Sequence, residues 1–270
     1  MEKRKYFELK HPEYETDYQY KRINGTTEVE YHFPGIRCDV CGKGGKVGPG
    51  RINIDEYPIF KDKKKLLKFT RRSLSRTHRW CIPIDDFHQM LRETFEEKDI
   101  ERYKDILVPR TDFGDRKLYI KYIPSNMFLF PIYSVQLITE DVLNILIKNK
   151  IKGFSYREVI LVNKKLSFKQ RVYELFVNKE VRLKTGLEDK IKKICEKCGA
   201  ILYKEEIDFI KMIESKKHED TYIYCENIGD VDIFRSPAHA TIFVTEKLKN
   251  ILEENKVKNI VFKQVYCANE

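Results

Sequence analysis

"CDVCGKGGKVGPG", residues 38–50, sets two cysteines three positions apart, closes them with a glycine, and then runs through four more glycines. The same five-residue signature returns as "CEKCG" at 195–199. A two-residue spacer lets both thiolates of a Cys-x-x-Cys face one ion, and the glycine permits the turn whose N–H groups point at sulfur. One such knuckle supplies half of a tetrahedral shell, and two supply all of it. Cys38, Cys41, Cys195 and Cys198 therefore read as one closed site for a structural Zn2+, one per chain, with no position left open for catalysis. Binding of this kind, worth about 10 kcal/mol or more, would tie together distant segments of the chain.

Other readings of the same stretch fare worse. A redox Cys-x-x-Cys starts a helix after a strand, whereas Cys41 is followed by Gly42, Gly44, Gly45, Gly48 and Gly50. A phosphate loop needs G-x-x-x-x-G-K-[ST]; "GKGGKVGPG" lacks it and leads into the strand-like "RINIDEYPIF". The other three of the seven cysteines, Cys81, Cys225 and Cys267, make the total odd and show no small-scaffold spacing. They read as free thiols, buried where apolar residues flank them, and not as a disulfide framework.

The chain also resembles itself. "TEDVLNILIKNKIKGFSYREV" (139–159) and "TEKLKNILEENKVKNIVFKQV" (245–265) are identical at nine of 21 positions, among them Thr139/Thr245, Asn149/Asn255 and Lys152/Lys258. Each copy follows a short apolar strand, "SVQLI" or "ATIFV". Each opens on a threonine suited to cap a helix with an acidic first turn and reaches an asparagine suited to end it. An alternating strand comes next. With one knuckle apiece, the expected fold is α+β: two pseudo-repeated halves, each a CxxCG knuckle plus a strand–helix–strand unit, joined by one zinc-ribbon-like site. The N-terminal half would be 1–160, with a basic insertion and the helix "DDFHQMLRETFEEK", and the C-terminal half 161–270, packed as one body.

With 270 residues, 41% of them hydrophobic, the chain is long enough for one large or two small domains with a real core. The start carries no apolar signal stretch, and the longest apolar run, "MFLFPIYSVQLI" at 127–138, is too short and interrupted to span a bilayer. A cytoplasmic protein with no membrane partner is expected. The net charge of +10 is concentrated in 61–79, "KDKKKLLKFTRRSLSRTHR", where nine Lys or Arg face only Asp62. Residues 205–232 carry the opposite sign, nine carboxylates against three lysines. Either pole could steer a partner of opposite charge.

Catalytic patterns are missing from the sequence. The six histidines form no H-E-x-x-H and no H-x-E with a P-C-x-x-C, and no G-x-S-x-G appears. "KHED" at 217–220 reads as a solvated turn, because adjacent side chains do not converge. Asp85, Asp86 and Glu93 read as the outer face of a helix whose Phe87, Met90 and Leu91 turn inward. No enzyme is expected.

The landmarks "HFPGIRCDVCG" (32–42), "INIDEYPIF" (52–60), "IPIDDFHQML" (82–91), "VPRTDFGD" (108–115), "CEKCG" and "DVDIFRSPAHATIFVTEKLKNIL" (230–252) resemble, in order, the double-CxxCG-motif family. Members of that family serve as immunity proteins of contact-delivered polymorphic toxins. The resemblance implies neutralisation of a cognate toxin, a nuclease being one candidate, by binding in the cytoplasm without catalysis. It matches Cys38, Cys41, Cys195 and Cys198 to the family's cysteine positions, and it carries no motif for toxin-binding residues. The basic stretch 61–80 is not a feature of that resemblance. Its arginines Arg71, Arg72, Arg76 and Arg79, beside Phe69 and Trp80, suit phosphate contacts and base stacking, so the alternative is a nucleic-acid-binding zinc protein.

Overall fold

The computed structural model describes residues 4–13, 19, 23–44, 81–104, 107–132, 135–162, 171–177, 179–184, 191–204, 221–236 and 241–268. The basic stretch 61–80, the glycines after Gly44 and the acidic residues 205–220 lie outside them. Contacts group the chain into two compact units, one of residues 1–28, 116–185 and 213–270, the other of 29–115 and 186–212. The halves 1–160 and 161–270 drawn from the repeat are not these units. Both strand–helix–strand segments fall in the first unit, and both knuckles fall in the second.

In the first unit, β1 (Tyr6–Lys10) lies between β15 (Ile242–Thr245) and β16 (Val261–Ala268), antiparallel to both. β14 (Ile233–Arg235) pairs with β15, and β13 (Thr221–Tyr224) runs parallel to β16, completing five strands. Because strand residues alternate sides, β1 feeds two cores. Phe7 and Leu9 enter one with Val142, Leu146, Leu248 and Leu252, while Tyr6 joins Phe234, Phe243 and Val265 in the other. A second, antiparallel sheet has the order β6 (Phe128–Ile132), β7 (Val135–Thr139), β10 (Val172–Val177), β8 (Phe154–Glu158).

The helices are α1 (Ile84–Thr94), α2 (Glu97–Arg102), α3 (Glu140–Lys148) and α4 (Glu246–Glu254). α3 and α4 occupy the two similar segments at matching positions. The inward residues of both, Val142, Leu143 and Leu146 from one and Leu248 and Leu252 from the other, enter the same core. Their caps are close but not equal. Thr245 Oγ1 accepts from Leu248 N at 3.4 Å, whereas Thr139 Oγ1 accepts from Met127 N at 3.0 Å. At the far end, Asn149 and Asn255 cap the helices, as the sequence suggests, without taking the left-handed conformation themselves. The next residues take it, Lys150 at φ 51° and Lys256 at φ 53°. The asparagines instead donate twice to one carbonyl each, from the backbone N–H and from Nδ2, Asn149 to Ile145 O and Asn255 to Ile251 O, which closes the last turn.

Each segment then reaches to the strand that precedes the other. Lys152 N donates to Asp232 Oδ2 at 3.0 Å, and Lys258 N donates to Asn126 O at 2.9 Å. Gly153, at φ 105°, makes the first crossing possible: a Cβ there would stand 2.3 Å from the Ile233 carbonyl oxygen.

β10, "VYELFV", is buried at every position, including Glu174. That carboxylate accepts from Arg116 Nε at 3.0 Å, with 2% and 4% of the two side chains exposed, and Arg116 Nη1 donates to Thr27 Oγ1. Arg116 belongs to β5 (Asp112–Tyr119), which pairs in parallel with β9 (Ile160–Leu161).

The second unit is smaller. β3 (Gly35–Arg37) runs parallel to β4 (Cys81–Pro83), which leads straight into α1. α1 turns Ile84, Phe87, Met90 and Leu91 toward Phe33, Ile36, Phe95 and Leu107, as its spacing requires. β11 (Ile191–Ile194) and β12 (Ile201–Tyr203) form a hairpin.

Two further cysteines depart from the expectation that the thiols stay out of disulfides. Cys225 and Cys267 form a disulfide, with Cα atoms 5.5 Å apart. The parallel register sets Tyr224 beside Ala268, bringing the end of β13 alongside Cys267; nothing in the spacing of 42 residues announces that register. Cys81 is a free thiol, as expected, but it is exposed.

Truncating one member of a buried ion pair strands the other charge, at a cost of about 3–5 kcal/mol, whereas replacing both by apolar residues costs far less. Glu174→Ala should therefore lower the free energy of unfolding by about that much in denaturant titration. The double variant Arg116→Met/Glu174→Leu should recover most of the loss, and a double variant as unstable as the single one would refute this account of the pair.

Candidate metal centre

The two knuckles have the same backbone. Gly42 N donates to Cys38 O at 2.8 Å and Gly199 N to Cys195 O at 2.7 Å, each glycine lying at positive φ, 70° and 71°. Each loop is closed once more, by Cys38 N donating to Lys43 O and Cys195 N to Ala200 O. Positive φ is where a glycine is needed, which accounts for the third fixed residue of the motif. The first knuckle follows β3, and the second forms the tip of the β11–β12 hairpin.

These turns bring the four thiols together. The Sγ atoms of Cys38, Cys41, Cys195 and Cys198 all lie within 4.8 Å of one another, with Cys38–Cys195 at 3.9 Å and Cys41–Cys198 at 3.4 Å. A tetrahedral ion with metal–sulfur bonds of about 2.3 Å requires sulfur–sulfur separations of roughly 3.8 Å. The donor set fits such an ion. Cys38 and Cys195 are buried, Cys41 and Cys198 half-buried, and the cluster packs with Ala200 and Leu202. Cys198 also touches the α1 core.

The thiols differ in acidity. The Cys198 backbone N–H, followed by that of Lys197, stabilises the Cys195 thiolate and brings its pKa down to about 7. Burial acts the other way on Cys198, pushed up to about 12, and on Cys41, also raised. N–H groups aimed at sulfur are what the Cys-x-x-Cys-Gly turn is expected to provide.

Sequence reading missed the ion network beside the cluster. Lys197, inside the second knuckle, places Nζ 3.0 Å from an Asp39 carboxylate oxygen in the first knuckle and 2.9 Å from Asp85 at the start of α1. Asp85 and Asp39 raise the lysine pKa, and Lys197 lowers that of Asp39. Asp85 reads in sequence as a helix-start residue only. Its second partner comes from a segment 112 residues away.

The acidic pole changes character as well. Of its described members, Asp230 pairs with Lys152 and is held below the usual carboxylate range by it. Asp232 accepts from Lys247 Nζ, Lys152 N and Thr245 Oγ1. Asp232 ties the turn after α3 to α4, whereas the Asp230–Lys152 pair lies at the surface. "KHED" at 217–220 and the arginines of the basic stretch lie outside the described residues.

A model of the Immunity protein family (Imm11) matches residues 86–267, about two thirds of the chain. The matched stretch contains the second knuckle and both strand–helix–strand segments. No curated protein and no solved structure matches the chain.

Four thiolates must form before an ion is held, so metal uptake should release protons, and affinity should fall as pH drops from about 8 to about 6. The protons held at neutral pH by Cys198 and Cys41 are among those displaced. Competition with a chromophoric chelator across that range checks this; affinity independent of pH would contradict it.

Proposed function

Because the chain belongs to the Immunity protein family (Imm11), we propose that it protects its own cell by binding and neutralising a cognate toxin, acting in the cytoplasm and without catalysis. The family match carries this reading. The four-cysteine cluster supports a structural role for the ion, which we take to be Zn2+: thiolate-only donors favour it, and four protein ligands leave no place for a substrate. Cys38, Cys41, Cys195 and Cys198 would hold it, and its contribution would be to fix the two knuckles.

A toxin neutralised by occlusion needs a rigid, complementary surface, and charge speeds the encounter. Asp232 is buried and Asp230, though exposed, is paired with Lys152, so steering would fall to charges elsewhere. If the toxin is a nuclease with a basic cleft, the carboxylates of 205–220 suit it; if the toxin is acidic, residues 61–79 do.

The decisive experiment co-expresses the chain with toxin-domain proteins encoded beside its own gene. Restored growth and a stoichiometric complex of the purified proteins are expected; toxicity undiminished by a soluble, metal-loaded chain would overturn the proposal. Retention of the chain on DNA or RNA, falling steeply with salt, would favour the nucleic-acid reading instead.

Charge reversal at the steering pole should slow association with the toxin and flatten its salt dependence. Asp232→Asn should leave association unchanged and lower stability by about 1–3 kcal/mol, since it weakens a charged acceptor with several donors. Equal association rates for reversals at both poles would remove the steering idea.

A further inference from the structure

We propose that Lys197 is a positioning residue of the metal site, a latch that holds both knuckles and the start of α1 in register through Asp39 and Asp85. The inference rests on the metal reading above. It stands on three observations: the two short ion pairs, their convergence on one nitrogen, and their origin in three separate pieces of chain. Asp39 is the residue after Cys38, and Lys197 the residue before Cys198. Their contact therefore draws together the inner residues of the two loops, and with them the Cys41 and Cys198 sulfurs at 3.4 Å. Asp85 sits in the exposed first turn of α1, one residue after the buried Ile84. The Lys197 side chain is only 29% exposed, so its aliphatic stem is covered while its ammonium bridges two carboxylates.

The second knuckle depends on such a tie. All four residues of β11 are exposed, and among the described residues the hairpin's strands pair only with each other. A two-stranded hairpin alone is marginal in water. Among the described residues, the packing of Cys198 against the α1 core and the ion pairs of Lys197 can hold the tip in place before an ion arrives. A site held in register before binding loses less ordering entropy when the ion enters.

A lysine beside a four-thiolate site could act in a different way, by offsetting the negative charge of the cluster. The two roles predict opposite signs when the carboxylates are removed. If Lys197 positions the knuckles, Asp39→Asn/Asp85→Asn breaks the latch and weakens metal binding. If it acts by charge, the same change deletes two negative charges near the thiolates, frees the ammonium, and tightens binding.

The test uses the full chain loaded with Zn2+ or Co2+, reading metal affinity by chelator competition, the rate of metal release, and the Co2+–thiolate absorption. For Lys197→Met we expect all four thiolates still to bind Co2+ with about tenfold weaker affinity and faster release, the size appropriate to two partly exposed charge pairs. Asp39→Asn/Asp85→Asn should weaken binding in the same direction, and Lys197→Arg should restore part of the loss. Each aspartate changed singly, should Lys197→Met fail to fold, carries the same expectation at about threefold. Unchanged affinity in all variants, or tighter binding in the double aspartate variant, overturns the latch. A wild-type chain that takes up neither ion would defeat the metal reading itself, an outcome separate from failure of the latch in a chain that binds metal.

Discussion

Four sulfur atoms within 4.8 Å of each other, drawn from loops 157 residues apart, are the constraint on which the second unit rests. Its apolar core is one helix face against Phe33, Ile36, Phe95 and Leu107, and the hairpin that bears the second pair of cysteines contributes to it little beyond Cys198. A set of thiols without an ion would gather four polarisable but partly acidic groups in a buried place. An ion bound there would turn that arrangement into a strong link for a small unit. The first unit needs no such link, since β1 and its neighbours are covered on both faces by apolar side chains.

Charge serves the two units differently. In the first, Arg116 and Glu174 are buried as a pair, and Asp232 collects donors from the turn after α3 and from α4. In the second, one lysine gathers two carboxylates at the rim of the thiol cluster. These polar contacts join segments far apart in the sequence, and removing one partner of the buried pair would strand the other charge. For a protein of an immunity family, fixed internal pairing leaves the remaining surface charges able to vary without disturbing the fold.

What the sequence made legible was local or repeated. The knuckles could be read because their chemistry depends on spacing alone, and their glycines because positive φ selects them. The helices α3 and α4 could be read because threonine, acidic first turn, apolar stripe and asparagine occur in the same order twice. The acidic face of α1 followed from its period. Features that depend on the meeting of distant segments were not legible. Glu174 inside "VYELFV" marks an oddity, a charge in an apolar strand, but only the fold supplies Arg116. Cys225 and Cys267 carry no spacing signal because a parallel register joins them. Asp85 and Asp230 look like ordinary surface carboxylates until Lys197 and Lys152 are placed beside them. The units escaped notice because similarity in sequence sorts the chain into consecutive halves, whereas contacts interleave its segments.

That interleaving governs the order in which the protein can come into being. β1 is made among the first residues, yet both of its partners, β15 and β16, come from the last thirty or so, and Cys41 must wait for Cys198, 157 residues later. At a synthesis rate of about 5–20 residues per second, the first knuckle is without its mate for roughly 10–30 s. Neither unit can close while the ribosome is still in the middle of the chain. In the proposed immunity role a nascent chain would thus be no shield, and protection would come from molecules completed beforehand.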